Sequence, residues 1–447
     1  MDEKKGNFLM DKITSLAKRR GFIFPGSEIY GGLAGTWDYG PLGVELKNNI
    51  KKEYWRFMVY ERNDTVGLDA AIMMNPKVWE ASGHTAAFTD PLVECKTCHV
   101  RMREDHLEEI KAHEESHKNK KEKTEWSEPK KFNLLVEAKL GVVEGEKTII
   151  YLRGEITQGV HVNFKNVLDS TSRKLPFGIV QIGKAFRNEI TPANLTFRSR
   201  EFEQMELQYY VRPDEKESHE WLEYWKEERK KWYLFLGMNG ENLRFRRHKS
   251  DERAHYARDA WDIEYKSSFG WKEMEGIHHR GDWDLKQHAK TSGENLAYFD
   301  ESSKERFIPW VIETSGGVDR AALFFLLDSY REDGKRVFLK LSPRLAPVKA
   351  AVFPLSANKE DLVQKAKEVY KNLKSEFPVA WDDRGNVGKR YYAQDEIGTP
   401  WCVTIDYQTL EDGTATIRNR DTAEQERADI KNLSVLLRKR VAKNSLV

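Results

Sequence analysis

From Pro176 to Val211 the chain alternates apolar and polar residues on either side of a short turn, which constrains it to a pair of antiparallel strands. In the first strand Val180, Ile182 and Phe186 share one face, and Gln181, Gly183, Ala185, Arg187 and Glu189 share the other. Thr191-Pro192-Ala193-Asn194 interrupts the pattern with turn residues. In the second strand Arg200, Phe202, Gln204 and Glu206 fall opposite Glu201, Glu203, Met205 and Leu207. Paired in register, the two strands put Arg187, Glu189, Arg200, Phe202 and Glu206 on one floor. An ordinary hairpin with surface ion pairs shows the same alternation, so this stretch alone does not define a site.

A second stretch does. Val311-Ile312-Glu313-Thr314-Ser315-Gly316-Gly317-Val318-Asp319-Arg320 runs into the apolar series Ala321 to Leu327. Val311, Glu313 and Ser315 share a strand face, and the glycine pair is expected to turn the chain into a helix and let backbone approach a ligand. Arg320 then lies in the first turn of a buried helix, where desolvation calls for an anion beside it. Guanidiniums give fixed bidentate clamps for phosphate, carboxylates attract a cation, and the Phe202 ring offers a purine a face. Together the two stretches supply what is needed to hold ATP beside a small cationic substrate.

These segments resemble motifs 2 and 3 of the class II aminoacyl-tRNA synthetases, and specifically those of the dimeric glycyl-tRNA synthetases. The resemblance runs over nearly the whole chain. Gly35 to Glu53 (GTWDYGPLGVELKNNIKKE) is similar to the family's motif 1 region, a dimer-interface helix. Trp79 to His84 (WEASGH), followed by Phe88-Thr89-Asp90-Pro91, is similar to a further signature. Leu152 to Phe164 (LRGEITQGVHVNF) resembles LRPETAQGIFVNF, Gly276 to His288 (GIHHRGDWDLKQH) resembles GIADRTDYDLKQH, and Arg200 to Glu206 (REFEQME) matches without change. Tyr391 to Asp406 (YYAQDEIGTPWCVTID) resembles the anticodon-binding domain shared by glycyl, prolyl, threonyl and histidyl enzymes. The chain departs from the pattern at Gly154 (Pro in the family), Ile156-Thr157 (Thr-Ala), His278-His279 (Ala-Asp) and Gln208 (Glu in many relatives).

The resemblance implies a two-step reaction: glycine and ATP give glycyl-adenylate, and the glycyl group passes to the 3′ end of tRNA(Gly). It implies Arg187 on the α-phosphate, Arg320 on the γ-phosphate, Arg198 on the outer phosphates and Phe202 beneath adenine, with Arg187 and Arg320 catalytic. Asn188, Glu189, Phe197, Lys272, Glu273 and Gly317 complete the implied ATP site. Arg103, Glu155, Glu189, Phe202, Gln204, Glu206, Glu313, Ser315 and Gly317 make up the implied glycine site, with the ammonium surrounded by Glu189, Glu206 and Glu313. Arg280 is a carboxylate or pocket-ordering partner. Glu273 and Glu313 are the carboxylates offered to Mg²⁺, which takes one or two together with phosphate oxygens. A pocket closed around the smallest amino acid excludes larger ones by overlap, so no editing domain is required. Two other readings share parts of the pattern: a prolyl or threonyl enzyme of the same class, and a non-catalytic synthetase-like nucleic-acid-binding subunit. The second has no use for the full set of Arg187, Glu189, Glu313 and Arg320.

Composition sets the remaining bounds. The chain has 447 residues, enough for two or three domains, and a formal net charge of only +2, so no broad basic field marks a nucleic-acid partner. Local patches and single-stranded ends still allow tRNA recognition. Arg244-Phe245-Arg246-Arg247-His248-Lys249 reads either as such a patch or as a solvated charged strand. Three cysteines argue for a reducing, cytoplasmic setting, and no apolar stretch is long enough for a signal peptide or a membrane span. Cys95-x-x-Cys98, followed by His99 and His106, lacks a second pair of cysteines, so a structural turn is expected there and zinc is not.

The expected architecture is an α+β catalytic domain on an antiparallel sheet over residues 1–340, followed by an α/β anticodon-binding domain over 345–447. A charged helical insertion is expected at about 92–147, and Leu341 to Pro347 reads as a linker. In the second domain, strands are expected at Val348 to Leu355, Val379 to Asp383 and Trp401 to Ile405. Helices are expected at Lys359 to Phe377 and Thr422 to Arg440, around a mainly parallel sheet.

Overall fold

The computed structural model describes residues 2–104, 107–141, 148–253 and 257–442. Its centre is a seven-stranded sheet in the order Leu243–Arg247, Asp259–Ser267, Gly270–Gly281, Trp310–Gly317, Glu201–Val211, Phe177–Phe186 and Thr65–Leu68. All neighbours are antiparallel except the last, where Thr65–Leu68 runs parallel to Phe177–Phe186. The expected hairpin is present in register, with Gln204 opposite Gly183 and Glu206 opposite Gln181.

One face of this sheet is dry. Val180, Met205, Leu207, Met274, Ile277 and Ile312 pack there against helices Glu215–Phe235 and Val318–Ser329. Burying a side chain of this size is worth about 1.5–3 kcal/mol, which fixes the register and therefore what the opposite face presents. Helix Pro41–Trp55 packs on helix Val318–Ser329, and Lys47 Nζ reaches Asp319 Oδ1 at 2.7 Å. Trp55 fills the space where a side chain at Gly67 would stand, 2.3 Å from its Cζ2.

The expected helical insertion carries one helix, Leu107–Asn119, and about as many described residues in short strands. Thr89–Glu94, Arg101–Arg103 and Lys130–Asn133 form a three-stranded sheet, and Val136–Leu140 pairs with Thr148–Leu152. Only Leu107–Asn119 is a long helix. Lysine and glutamate density signalled solvent exposure correctly, but it does not distinguish an exposed helix from exposed edge strands. The basic run at 244–249 is the solvated strand: Arg244 pairs with Glu264, Arg246 with Glu252 and Arg247 with Asp259.

The C-terminal sheet has the order Val379–Trp381, Ala350–Pro354, Trp401–Ile405, Thr414–Asn419, Gln425–Asp429. Its first three strands are parallel and its last two antiparallel, so the mainly parallel expectation holds for half of it. Gln425–Asp429 takes the first part of the helix expected from Thr422, and the helix itself runs Leu433–Ala442. The segment read as a linker is packed: Leu341, Leu345 and Ala346 are buried, and Leu341 and Leu345 belong to the first core. Asn49 Nδ2 donates to the Leu345 and Ala346 carbonyls at 3.2 and 3.1 Å.

Candidate active site

On the face of the central sheet away from the dry core lies a cavity of about 330 Å³. It brings together nearly every residue singled out in the sequence: Arg103, Glu155, Arg187, Glu189, Phe197, Arg198, Phe202, Gln204, Glu206, Glu273, Glu313, Ser315, Gly317 and Arg320 all line it. Arg187 and Arg320, more than a hundred residues apart in sequence, face the same space.

Arg200, expected on the same floor, does not line it, its Nε donating to the Glu189 carbonyl at 2.8 Å, and neither do two of the implied ATP-site residues. Asn188 is exposed, and its amide donates to the Leu134 carbonyl at 2.8 Å. Lys272 is displaced by a bulge: Glu275 pairs with Ile263 and Glu273 with Glu264, so Met274 is an extra residue. The extra residue shifts the face alternation by one, bringing Glu273 into the cavity in place of Lys272. A period of two read along the strand misses such a shift. The glycine pair stands where strand gives way to helix, as expected. Gly316 and Gly317 finish the strand, and Gly317 is extended, with φ −88° and ψ 123°. Both glycines line the cavity, and Gly316 also permits close packing behind it, since a Cβ there would lie 3.1 Å from Glu275 Oε2 and 3.2 Å from Met205 Cε.

One end of the cavity holds the cations. The Arg187 guanidinium lies 5.2 Å from the ring centroids of Phe88 and Phe202, and its Nε donates to the Gly154 carbonyl at 3.0 Å. Arg320 lies 4.7 Å from the Phe197 ring and reaches Glu273 Oε1 at 2.9 Å. Arg320 first, then His278 and Arg187, hold the Glu273 carboxyl below its ordinary value. Arg198 Nε stands 3.6 Å from Glu189 Oε2, so Glu189 belongs with the guanidiniums at this end. It does not take its expected place in the ammonium cage.

The other end is an acidic cage. Glu206 is 1% exposed, and its hydrogen-bond donors among the described residues are all neutral. Ser315 Oγ donates to Glu206 Oε1 at 2.6 Å, Gln204 Nε2 to the same oxygen at 2.9 Å, and Thr157 Oγ1 to Oε2 at 2.7 Å. Burial, reinforced by the charges of Glu313 and Glu155, pushes the Glu206 carboxyl up to about 8. Glu155 thus supplies the third carboxylate that was expected from Glu189. Glu155 is itself held at about 2 despite burial, by His84 and Arg280.

Glu313 is fully engaged. Arg280 Nη1 donates to both its oxygens at 3.1 Å, Gln208 Nε2 to Oε1 at 2.9 Å, and His278 Nδ1 stands 2.9 Å from Oε2. Arg280 is in turn held by Asp284 through Nε–Oδ2 and Nη2–Oδ1 contacts of 2.8 and 2.9 Å. With both oxygens occupied, Glu313 does not fit the Mg²⁺ role, whereas the half-exposed Glu273 does. Thr157 Oγ1 also lies 3.1 Å from Glu313 Oε1. Three of the positions where the chain departs from the family pattern, Thr157, Gln208 and His278, therefore converge on this one carboxylate.

The cysteine pair also differs from expectation. His99 turns to Glu94, with Nδ1 3.1 Å from Oε1, and His106 lies outside the described residues. The helix Leu107–Asn119 instead brings His113 and His117 to Cys95 and Cys98, with all four ligand atoms within 4.8 Å of one another. The missing half of a four-ligand set is present, with His113 standing 14 residues beyond His99 and His117 standing 11 beyond His106.

Arginines from a strand–loop–strand unit and from a strand–helix unit, meeting on a mainly antiparallel sheet that an α/β module follows in the chain, define the class II aminoacyl-tRNA synthetase architecture. A family profile described as "Anticodon binding domain" matches residues 349–440. The chain is 50% identical to the glycine–tRNA ligase of Thermobifida fusca, 49% to that of Streptomyces coelicolor and 50% to that of Alkaliphilus oremlandii. Each alignment covers 97% of this chain and 98% of the relative. The chain belongs to the glycine–tRNA ligase family.

Proposed function

We propose that the cavity activates glycine with ATP as glycyl-adenylate and delivers it to the 3′ end of tRNA(Gly). The observation that carries this reading is the pairing of ends. A buried carboxylate surrounded by neutral donors stands in one cavity with Arg187, Arg198 and Arg320. Glu206, with Glu313 and Glu155 behind it, receives the glycine ammonium. The glycine carboxylate then attacks the α-phosphate in line and pyrophosphate leaves. Charge builds on the phosphoryl oxygens as it does so, and guanidiniums held in advance stabilise that charge without reorganising. Arg187 is assigned to the α-phosphate, Arg320 to the γ-phosphate, Arg198 to the outer phosphates and Phe202 to the adenine face. Glu273 is the carboxylate that would hold Mg²⁺, which when bound neutralises charge on the phosphates. Arg103, anchored to Asp90 at 2.7 Å, closes the cavity from the insertion.

The C-terminal domain is assigned to tRNA anticodon recognition, with the division of the chain at 1–340 and 345–447. A homodimer through the region of helix Pro41–Trp55 and a cytoplasmic setting complete the reading. No helix among the described residues is long and apolar enough to cross a membrane. Amino-acid-dependent pyrophosphate exchange tests the substrate: glycine alone should support it. Exchange with proline or threonine at the rate of glycine would reject the assignment.

A further inference from the structure

The insertion carries a second cluster that the aminoacylation chemistry does not use. Cys95 follows the strand Thr89–Glu94 and is fully buried, and Cys98 lies in the turn that leads to Arg101–Arg103. His113 and His117 project from one face of the helix Leu107–Asn119, four residues apart, with ring centroids 4.7 Å apart. Cys95 Sγ is 3.9 Å from His117 Nε2, and Cys98 Sγ is 3.4 Å from His113 Nε2. A tetrahedral zinc ion with Zn–S about 2.3 Å and Zn–N about 2.0 Å sets ligand-to-ligand spacings of roughly 3.3–3.8 Å. The observed separations are close to that range. Behind one ligand, His117 Nδ1 stands 2.8 Å from Glu122 Oε2, the arrangement that orients a metal-bound imidazole. Two thiolates and two imidazoles gathered within 4.8 Å of one another suit Zn²⁺ and do not suit Mg²⁺ or Ca²⁺.

The position of the cluster gives it a purpose. The strand Thr89–Glu94 pairs with Arg101–Arg103, Leu92 facing Arg103. That hairpin is short, and its last residue is the Arg103 that lines the substrate cavity. We propose that Cys95, Cys98, His113 and His117 bind one zinc ion, which staples this hairpin to the helix and so holds Arg103 in place.

Metal analysis of the full-length protein, purified without chelator or histidine tag, should give close to one zinc per chain. Cobalt substitution should produce the intense visible bands of a tetrahedral sulfur–nitrogen site. Cys98→Ser and His113→Asn should each lower zinc retention at least tenfold in competition with a colorimetric chelator. His99→Asn should leave retention unchanged, because that ring faces Glu94. Absence of zinc in the wild-type protein, an octahedral cobalt spectrum, or equal loss in His99→Asn would overturn the site and leave a pair of thiol–imidazole hydrogen bonds. Stripping the zinc should raise the KM for glycine or ATP several-fold with a smaller change in kcat. An unchanged KM in stripped protein would overturn the stapling role while leaving the metal site standing. The zinc-binding measurements do not depend on which amino acid the cavity activates.

Discussion

Two buried carboxylates on the central sheet, Glu275 and Glu206, have opposite surroundings. Glu275 faces the helix side, where Arg229 donates to it through Nε at 2.6 Å and Nη2 at 3.1 Å, and Tyr233 adds a third bond at 2.6 Å. Asp395 in the C-terminal domain is treated the same way, by Arg336 at 2.7 Å and Arg418 at 2.9 and 3.0 Å. Glu206 faces the cavity and, among the described residues, receives a hydroxyl, an amide and a second hydroxyl. The first two carboxylates carry their own cations and hold the fold together. The third has the hydrogen bonds that fix its orientation and, among the described residues, no cation bonded to it. The cation it lacks is the one that the substrate brings.

The contrast predicts that charge deletions divide into those that unfold and those that inactivate. Arg229→Met strands Glu275 in the interior and should lower stability by about 3–5 kcal/mol, read from chemical denaturation. Equal midpoints for variant and wild type would erase the distinction. On the cavity side, Arg187→Ala should lower the rate of adenylate formation by about 10²–10³-fold while the melting temperature stays near wild type. Glu206→Gln keeps the shape and removes the charge. It should cost about 10- to 100-fold in kcat/KM for glycine, the worth of one charged hydrogen bond, and leave KM for ATP nearly unchanged. Its stability should differ in sign from that of Arg229→Met. The Glu206 carboxyl titrates at about 8 in the folded chain against an ordinary value of 4.5. The folded state therefore binds more protons between those values, and stability falls as pH rises through that window. Glu206→Gln removes that slope. The smallest effect is expected at Gln208→Glu, which sets a carboxylate against Glu313 Oε1 and should shift the pH dependence of glycine binding upward.

Much of this was legible in sequence, for a physical reason. Alternation along 176–211 fixes which residues face the core, and a buried face permits no slip of register. The strand into Gly317 and the helix from Val318 likewise follow from pattern. Three things were not legible. The Met274 bulge inserts one residue into an otherwise regular strand, so Lys272, expected beside Glu273 in the site, falls outside the cavity. The zinc ligands His113 and His117 are set by how a helix docks on a turn, and nearness in sequence favoured His99 and His106 instead. The meeting of Thr157, Gln208 and His278 on Glu313 comes from three segments that only the folded sheet brings together.

The pH dependence of glycine KM, compared between wild type and Glu206→Gln from pH 6 to 8.5, tests the central claim most directly. An ammonium that must meet an ionised Glu206 makes the wild-type KM fall about tenfold per pH unit below about 8 and level off above it. The variant should show a raised KM with no such limb. The same limb in both proteins, or a flat profile in the wild type, would mean that the substrate's cation is held elsewhere.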